Sequence, residues 1–191
     1  MHLIRFFSPK QCPIFYGWII LPVASLAMFI SGPGQTYSFS VFIDPMRQAL
    51  DLTQTEIATI YTAGSLTASV MLILMGMALD RIGARVMLAI VGILFGLASF
   101  WMAQVNNTLE LFVGFTFMRL LGQGTLGLIA TTLVAVWFIR LRGRVTSMVA
   151  LGGAISQGIF PPLIVGLIAA FEWRATWVIL GFMILISLVL P

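Results

Sequence analysis

Apolar runs of about 20 residues, long enough for a spanning helix, follow one another along the chain with only short polar stretches between them. The pattern predicts six helices. The first covers about 15–43 and is interrupted by Gly32-Pro33-Gly34, which is expected to kink or unwind it. The second covers about 54–79, and Thr53-Gln54-Thr55-Glu56 reads as a capping box at its start. The third covers about 84–104. The fourth covers about 108–138, with Asn107 and Glu110 placed to cap it. The fifth covers about 144–170 and contains Pro161-Pro162. Its small residues Gly152, Gly153, Ala154, Ser156 and Gly158 suit close helix contact. It reads as a packing and rocking surface, with Gly158, Pro161 and Pro162 as hinge positions. The sixth starts near Arg174 and is still apolar at Pro191.

Composition turns this pattern into a class. Of 191 residues, 60% are hydrophobic and 8% are charged, against roughly a quarter charged in a soluble domain. Mean hydropathy is +1.09. A soluble fold and a disordered chain are both excluded, and six spans leave no room for a soluble catalytic domain. One cysteine, Cys12, allows no internal disulfide. One histidine, His2, lies by the terminus, which argues against a metal site and against a Ser–His protease in the membrane. The chain thus reads as an all-α, polytopic membrane protein that is not an enzyme and carries no metal or cofactor. Its basic balance, net +4, is that of a membrane protein and not of a nucleic-acid binder.

Loop charges orient the spans. Arg5 and Lys10, Arg81 and Arg85, and Arg140, Arg142 and Arg144 fall on one side, against Arg47 and Arg174 on the other. Basic loops stay inside, so residues 1–14 are expected to be a cytoplasmic tail and 15–191 a bundle in the plasma or inner membrane. The first apolar run is too long for a cleavable signal and stays as a span. Gly32-Pro33-Gly34 matches Gly122-Gln123-Gly124, and Gly76 matches Gly166, at one offset of 90 positions. Three spans separate the copies, so they would be inverted across the membrane. Repeat one is about 15–104 and repeat two about 108–191.

The segment Gly76-Met77-Ala78-Leu79-Asp80-Arg81-Ile82-Gly83-Ala84-Arg85 resembles the G-x3-D-R-x-G-x-R signature of the major facilitator superfamily, at that family's place after the second span. Gly76 permits a helix approach, Gly83 a tight turn, and Asp80 can cap the next helix. Arg81 and Arg85 can reach headgroups or a carboxylate. The resemblance implies a conformational-switch loop made of Gly76, Asp80, Arg81, Gly83 and Arg85. Tyr16-Gly17-Trp18, Tyr37-Ser38-Phe39, Trp137-Phe138, Pro161-Pro162 and Glu172-Trp173-Arg174 are similar to the monocarboxylate and oxalate–formate antiporter-like branch. In the superfamily an Arg of the fourth helix is usually followed by Gly four residues on, whereas here Gln123 follows Arg119.

Arg119 is the basic residue inside a span. A charge at mid-membrane costs at least about 2.5 kcal/mol, so it should face the bundle interior. Two roles fit: attraction of an anionic substrate by bidentate hydrogen bonding, or a structural or gating Arg bonded to carbonyls or Gln side chains. Gln123 lies one turn away on the same face. Ser31, Gln35 and Ser38 form a stripe on the first helix, either a cavity wall or interhelical hydrogen bonds. Gln157 is a further candidate. No acid lies at mid-depth, so a proton-relay carboxylate is not evident. Asn106-Asn107-Thr108 matches a glycosylation sequon in a very short loop.

These features imply the six-helix N-terminal half of a twelve-helix carrier, with the C-terminal bundle absent. Its expected partners are the bilayer, a small and anionic solute, and the missing half, with no nucleic acid. Arg119, Gln123 and Gln35 are expected to form one wall of a midplane site used in alternating access. The alternatives are a non-transport membrane protein, such as an inactive half-carrier or assembly partner, and a carrier of sugars or drugs.

Overall fold

The computed structural model describes residues 17–138 and 141–189. The tail with His2, Arg5, Lys10 and Cys12, and also Tyr16, Arg140 and Pro191, lie outside the described residues. The described chain is all helical. Helix α1 is Gly17–Ile30, a 3-10 turn takes Gly32–Gly34, and α2 is Thr36–Ala49. Then come α3 (Gln54–Ile82), α4 (Ala84–Ala103) and α5 (Thr108–Met118). A π-helical segment at Arg119–Thr125 leads into α6 (Leu126–Trp137), and α7 is Arg142–Val189. Five stretches among the described residues are long and apolar enough to cross a bilayer: Gly17–Ala49, Gln54–Ile82, Ala84–Ala103, Thr108–Trp137 and Arg142–Leu188.

Local chemistry sets most of the boundaries. Proline 33 cannot donate to the ladder, and the first span changes to a 3-10 turn where the sequence placed its interruption. Thr53 accepts from Glu56 N, and the Glu56 carboxylate accepts from Thr53 N at 2.8 Å, so the expected capping box is present. Thr53→Ala is expected to lower stability by about 1 kcal/mol, read as a drop in the melting temperature of purified protein. Asn107 caps α5 by accepting from Glu110 N at 2.9 Å. Its neighbour Asn106, the sequon asparagine, donates to Gln104 O and accepts from Arg174 Nη2 at 3.0 Å.

Three local expectations change. Helix α2 runs on to Ala49, so Asp44 and Arg47 lie in its last turns, 3.7 Å apart, and not in the connection. Pro45 is accommodated in α2, and the chain turns at Asp51, whose φ is +52°. Asp80 does not cap α4. It belongs to the last turn of α3, and α4 starts behind Gly83 with no side-chain cap. Gly83, at φ +80°, closes the turn by itself: its N–H donates to Leu79 O and its carbonyl accepts from Met87 N. That turn is too short to bring Asp80 to the capping position. In α7 the chain stays helical through Pro161 and Pro162, and leaves helical space at Glu172 (φ 66°, ψ 166°).

The residues on either side of Glu172 pack on different partners. Before it, Gly152 lies against the Ser25 backbone of α1, and Phe160 packs on Phe29 at 5.4 Å. After it, Leu185 and Leu188 fill the space beside Gly96 and Gly92 of α4. The buried centre is aromatic. Trp177 stacks on Phe42 at 4.1 Å, and Phe39 meets Phe115 edge to face at 5.0 Å. Ser99 donates to Trp177 O at 2.7 Å, tying α4 to this cluster. By contrast α3 presents Leu66, Val70, Ile73, Leu74 and Met77 outward. An apolar outer face on a long apolar helix is stable in lipid and not in water.

Candidate functional site

Low helix propensity at Gly122 and Gly124 makes the middle of the Thr108–Trp137 span yield. There the span takes a five-residue backbone hydrogen bond, Leu126 N to Leu121 O, and the Thr125 side-chain hydroxyl donates to Leu120 O at 2.8 Å. Gly34 of the 3-10 turn is pressed against this segment. A Cβ on Gly34 would stand 2.5 Å from Met118 O and 2.8 Å from Gly122 Cα. The two helix interruptions named from the sequence are therefore in contact with each other.

Arg119 opens the π segment. It is half-buried, and its Nη1 donates to Thr36 Oγ1 at 2.9 Å. Its Cζ lies 5.2 Å from the centroid of the Tyr61 ring, within cation–π range. The Tyr61 hydroxyl donates to the same Thr36 oxygen at 3.3 Å. No carboxylate pairs with Arg119; among the described residues the single ion pair is Asp44–Arg47. Arg119 and Gln123 line one cleft of about 490 Å³, together with Ser65 and Ser69 of α3, Met28 of α1 and Thr131 of α6. A guanidinium with free N–H groups, next to neutral hydroxyls and an amide, is suited to bind an anion.

The other expected site residues are placed elsewhere. Ser31 is buried and donates to Met28 O at 2.7 Å, and Gln35 Nε2 donates to Ser31 Oγ at 3.0 Å. Ser38 is buried, and its hydroxyl has no partner. Gln157 is exposed. None of these four lines the cleft, so the structure brings Arg119 and Gln123 together without Gln35. The first span is tied to α7 by other residues: Ser156 donates to Phe29 O at 2.8 Å and shares a 2.8 Å hydrogen bond with Tyr37. At the turn from α3 into α4, Asp80 and Arg81 of α3 and Arg85 of α4 are exposed, and among the described residues they form no ion pair. A Cβ at position 76 would stand at ordinary contact distance from Leu128 of α6.

Sequence reasoning missed Ser65 and Ser69 in the cleft lining, and also Thr36 and Tyr61, which do not line the cleft but contact Arg119 beside it. A signal for three of them was there: Tyr61, Ser65 and Ser69 recur every four residues along the helix and so share a face.

Two comparisons bear on this arrangement. The Major Facilitator Superfamily matches residues 24–191. The chain is also similar to a probable sulfoacetate transporter, SauU, of Cupriavidus necator (strain ATCC 17699), with 27% identity over 168 residues. The matched part is 85% of this chain and 38% of that protein, so the chain spans well under half the length of this relative. With its apolar spans, its glycine-broken helices and its signature loop at 76–85, the chain belongs to the major facilitator superfamily, whose members are membrane carriers and not enzymes.

Proposed function

We propose that the chain is the six-span N-terminal half of a secondary transporter that moves a small organic anion by alternating access, with Arg119 as the anion-binding group. The observation that carries this reading is the guanidinium itself. It lies inside an apolar span, makes one hydrogen bond to Thr36, pairs with no acid, and lines a cleft with Gln123. A carboxylate or sulfonate supplies the missing negative charge. The sulfoacetate name of the relative supports the same solute class.

The six-span count rests on length. A 47-residue apolar helix would be about 70 Å long at 1.5 Å per residue, against about 30 Å of hydrocarbon. Glu172 divides it into 142–171 and 173–189, each about one span long. The touching interruptions at Gly34 and Gly122 support two inverted repeats of three spans. The basic loops support a cytoplasmic N-terminus in the cell membrane.

Thermal-shift measurements on the purified full-length protein test the solute class. Small organic anions are expected to raise the melting temperature in a concentration-dependent way, by mass action. Sugars and organic cations are expected to leave it unchanged. Stabilisation by a sugar or a cation and not by any anion would overturn the reading.

A further inference from the structure

We propose that the subsite at Arg119 is fitted to a three-oxygen anionic headgroup, the sulfonate class, with the hydroxyl of Thr36 as its third donor; this rests on the organic-anion reading above. Thr36 Oγ1 accepts from Arg119 Nη1 at 2.9 Å and from the Tyr61 hydroxyl at 3.3 Å. A hydroxyl oxygen has two lone pairs and one proton. Both lone pairs of Thr36 are taken, so what it has left to offer is the proton.

Other threonines in the spans use that proton on their own helix. Thr59, Thr62, Thr67, Thr116 and Thr131 each donate to the carbonyl four residues earlier. Thr36 does not. It is the first residue of α2, and the 3-10 turn at Gly32–Gly34 stands where the preceding helical turn would supply the carbonyl. Its side chain is exposed, beside a guanidinium that no carboxylate neutralises. The helix break thus does a chemical job: it frees one hydroxyl proton next to Arg119.

The donor count favours the class, although a carboxylate oxygen can accept twice. Arg119 has five N–H groups, and one is bound to Thr36. The remaining fork meets two oxygens of a headgroup side by side. A carboxylate has only those two. A sulfonate has a third, and Thr36 meets it without any oxygen having to accept twice. Tyr61 is a positioning residue here: its hydroxyl occupies the second lone pair of Thr36, and its ring lies against the guanidinium.

The test uses sulfoacetate and malonate, which differ only in one sulfonate against one carboxylate, with dissociation constants measured on the purified full-length protein. The wild type is expected to prefer sulfoacetate by about tenfold, the size of one hydrogen bond to a charged group. Thr36→Val should lose that preference through weaker sulfoacetate binding, with malonate little changed. Thr36→Ser should keep it. Tyr61→Phe, which retains the ring, should narrow it. A preference that survives Thr36→Val, or equal weakening of both ligands, overturns the proposal while leaving the anion site intact. Failure of the wild type to bind either ligand, or binding that persists in Arg119→Ala, sinks the organic-anion reading and this proposal together.

Discussion

Arg119→Ala is expected to lower organic-anion affinity by about a hundredfold, the cost of removing one partner of a desolvated, hydrogen-bonded charge pair, roughly 3 kcal/mol. Saturable uptake should disappear with it. The ligand-free protein should nevertheless melt no earlier than the wild type. Arg119 has no acid partner to be left unpaired, its one side-chain bond goes to an exposed threonine, and a half-buried charge is removed from an apolar span. This sign separates the two roles. An Arg that held helices together would cost stability when truncated and leave affinity to follow. Arg119→Lys keeps the charge but not the planar fork or the stacking on Tyr61, so it should recover only part of the binding. Unchanged uptake and affinity in Arg119→Ala would end the case for this site.

The fold was legible where one residue type has one physical consequence. Runs of apolar residues located the first four long helical stretches, while the fifth and sixth runs fall within the single helix α7, and Thr53 with Glu56 located a helix start that the structure reproduces. Pro33 between two glycines located a break. Less was legible where two structures are compatible with the same letters. Asp44 and Pro45 look like the end of a helix, yet α2 continues to Ala49. Pro161-Pro162 looks like a break, yet the chain stays helical there and turns at Glu172. In a span, neighbouring helices can re-satisfy the carbonyl that a proline orphans, and nothing local reports whether they do.

The site was legible in part for the same reason. A lone charge in an apolar run announces itself, and Gln123 follows by helical spacing. Gln35 was expected beside them because it is polar and near the break. Its side chain is instead taken up by Ser31. Which face of a broken helix meets the cleft depends on the twist introduced at the break, and Gly32-Pro33-Gly34 does not encode that twist. Thr36 illustrates the point. One residue beyond Gln35, it is the side chain that reaches Arg119.

The contact between the two broken helices yields the second large effect. Gly34→Val is expected to destabilise the protein by about 3 kcal/mol, at the upper end for overpacking. The atoms in the way are backbone: a Cβ at position 34 would be 2.5 Å from Met118 O and 2.8 Å from Gly122 Cα. No rotamer change can make room, so either α2 or the π segment has to move as a whole. Gly122→Val should behave alike, because its Cβ would meet Gly34 Cα at 2.8 Å and the Phe95 ring at 2.7 Å. Gly127 and Gly166 are the controls. Nothing lies within 4 Å of a Cβ built at either position, so an alanine there should be neutral or gain up to about 1 kcal/mol from helix propensity. Opposite signs in denaturation of the four variants would show that glycine at positions 34 and 122 serves close approach and not flexibility. Equal small losses at all four would show that the interruptions do not depend on touching. The distinction matters for the site, since both Thr36 and Arg119 are attached to this crossing. A displaced crossing should weaken anion binding even in variants that remain folded.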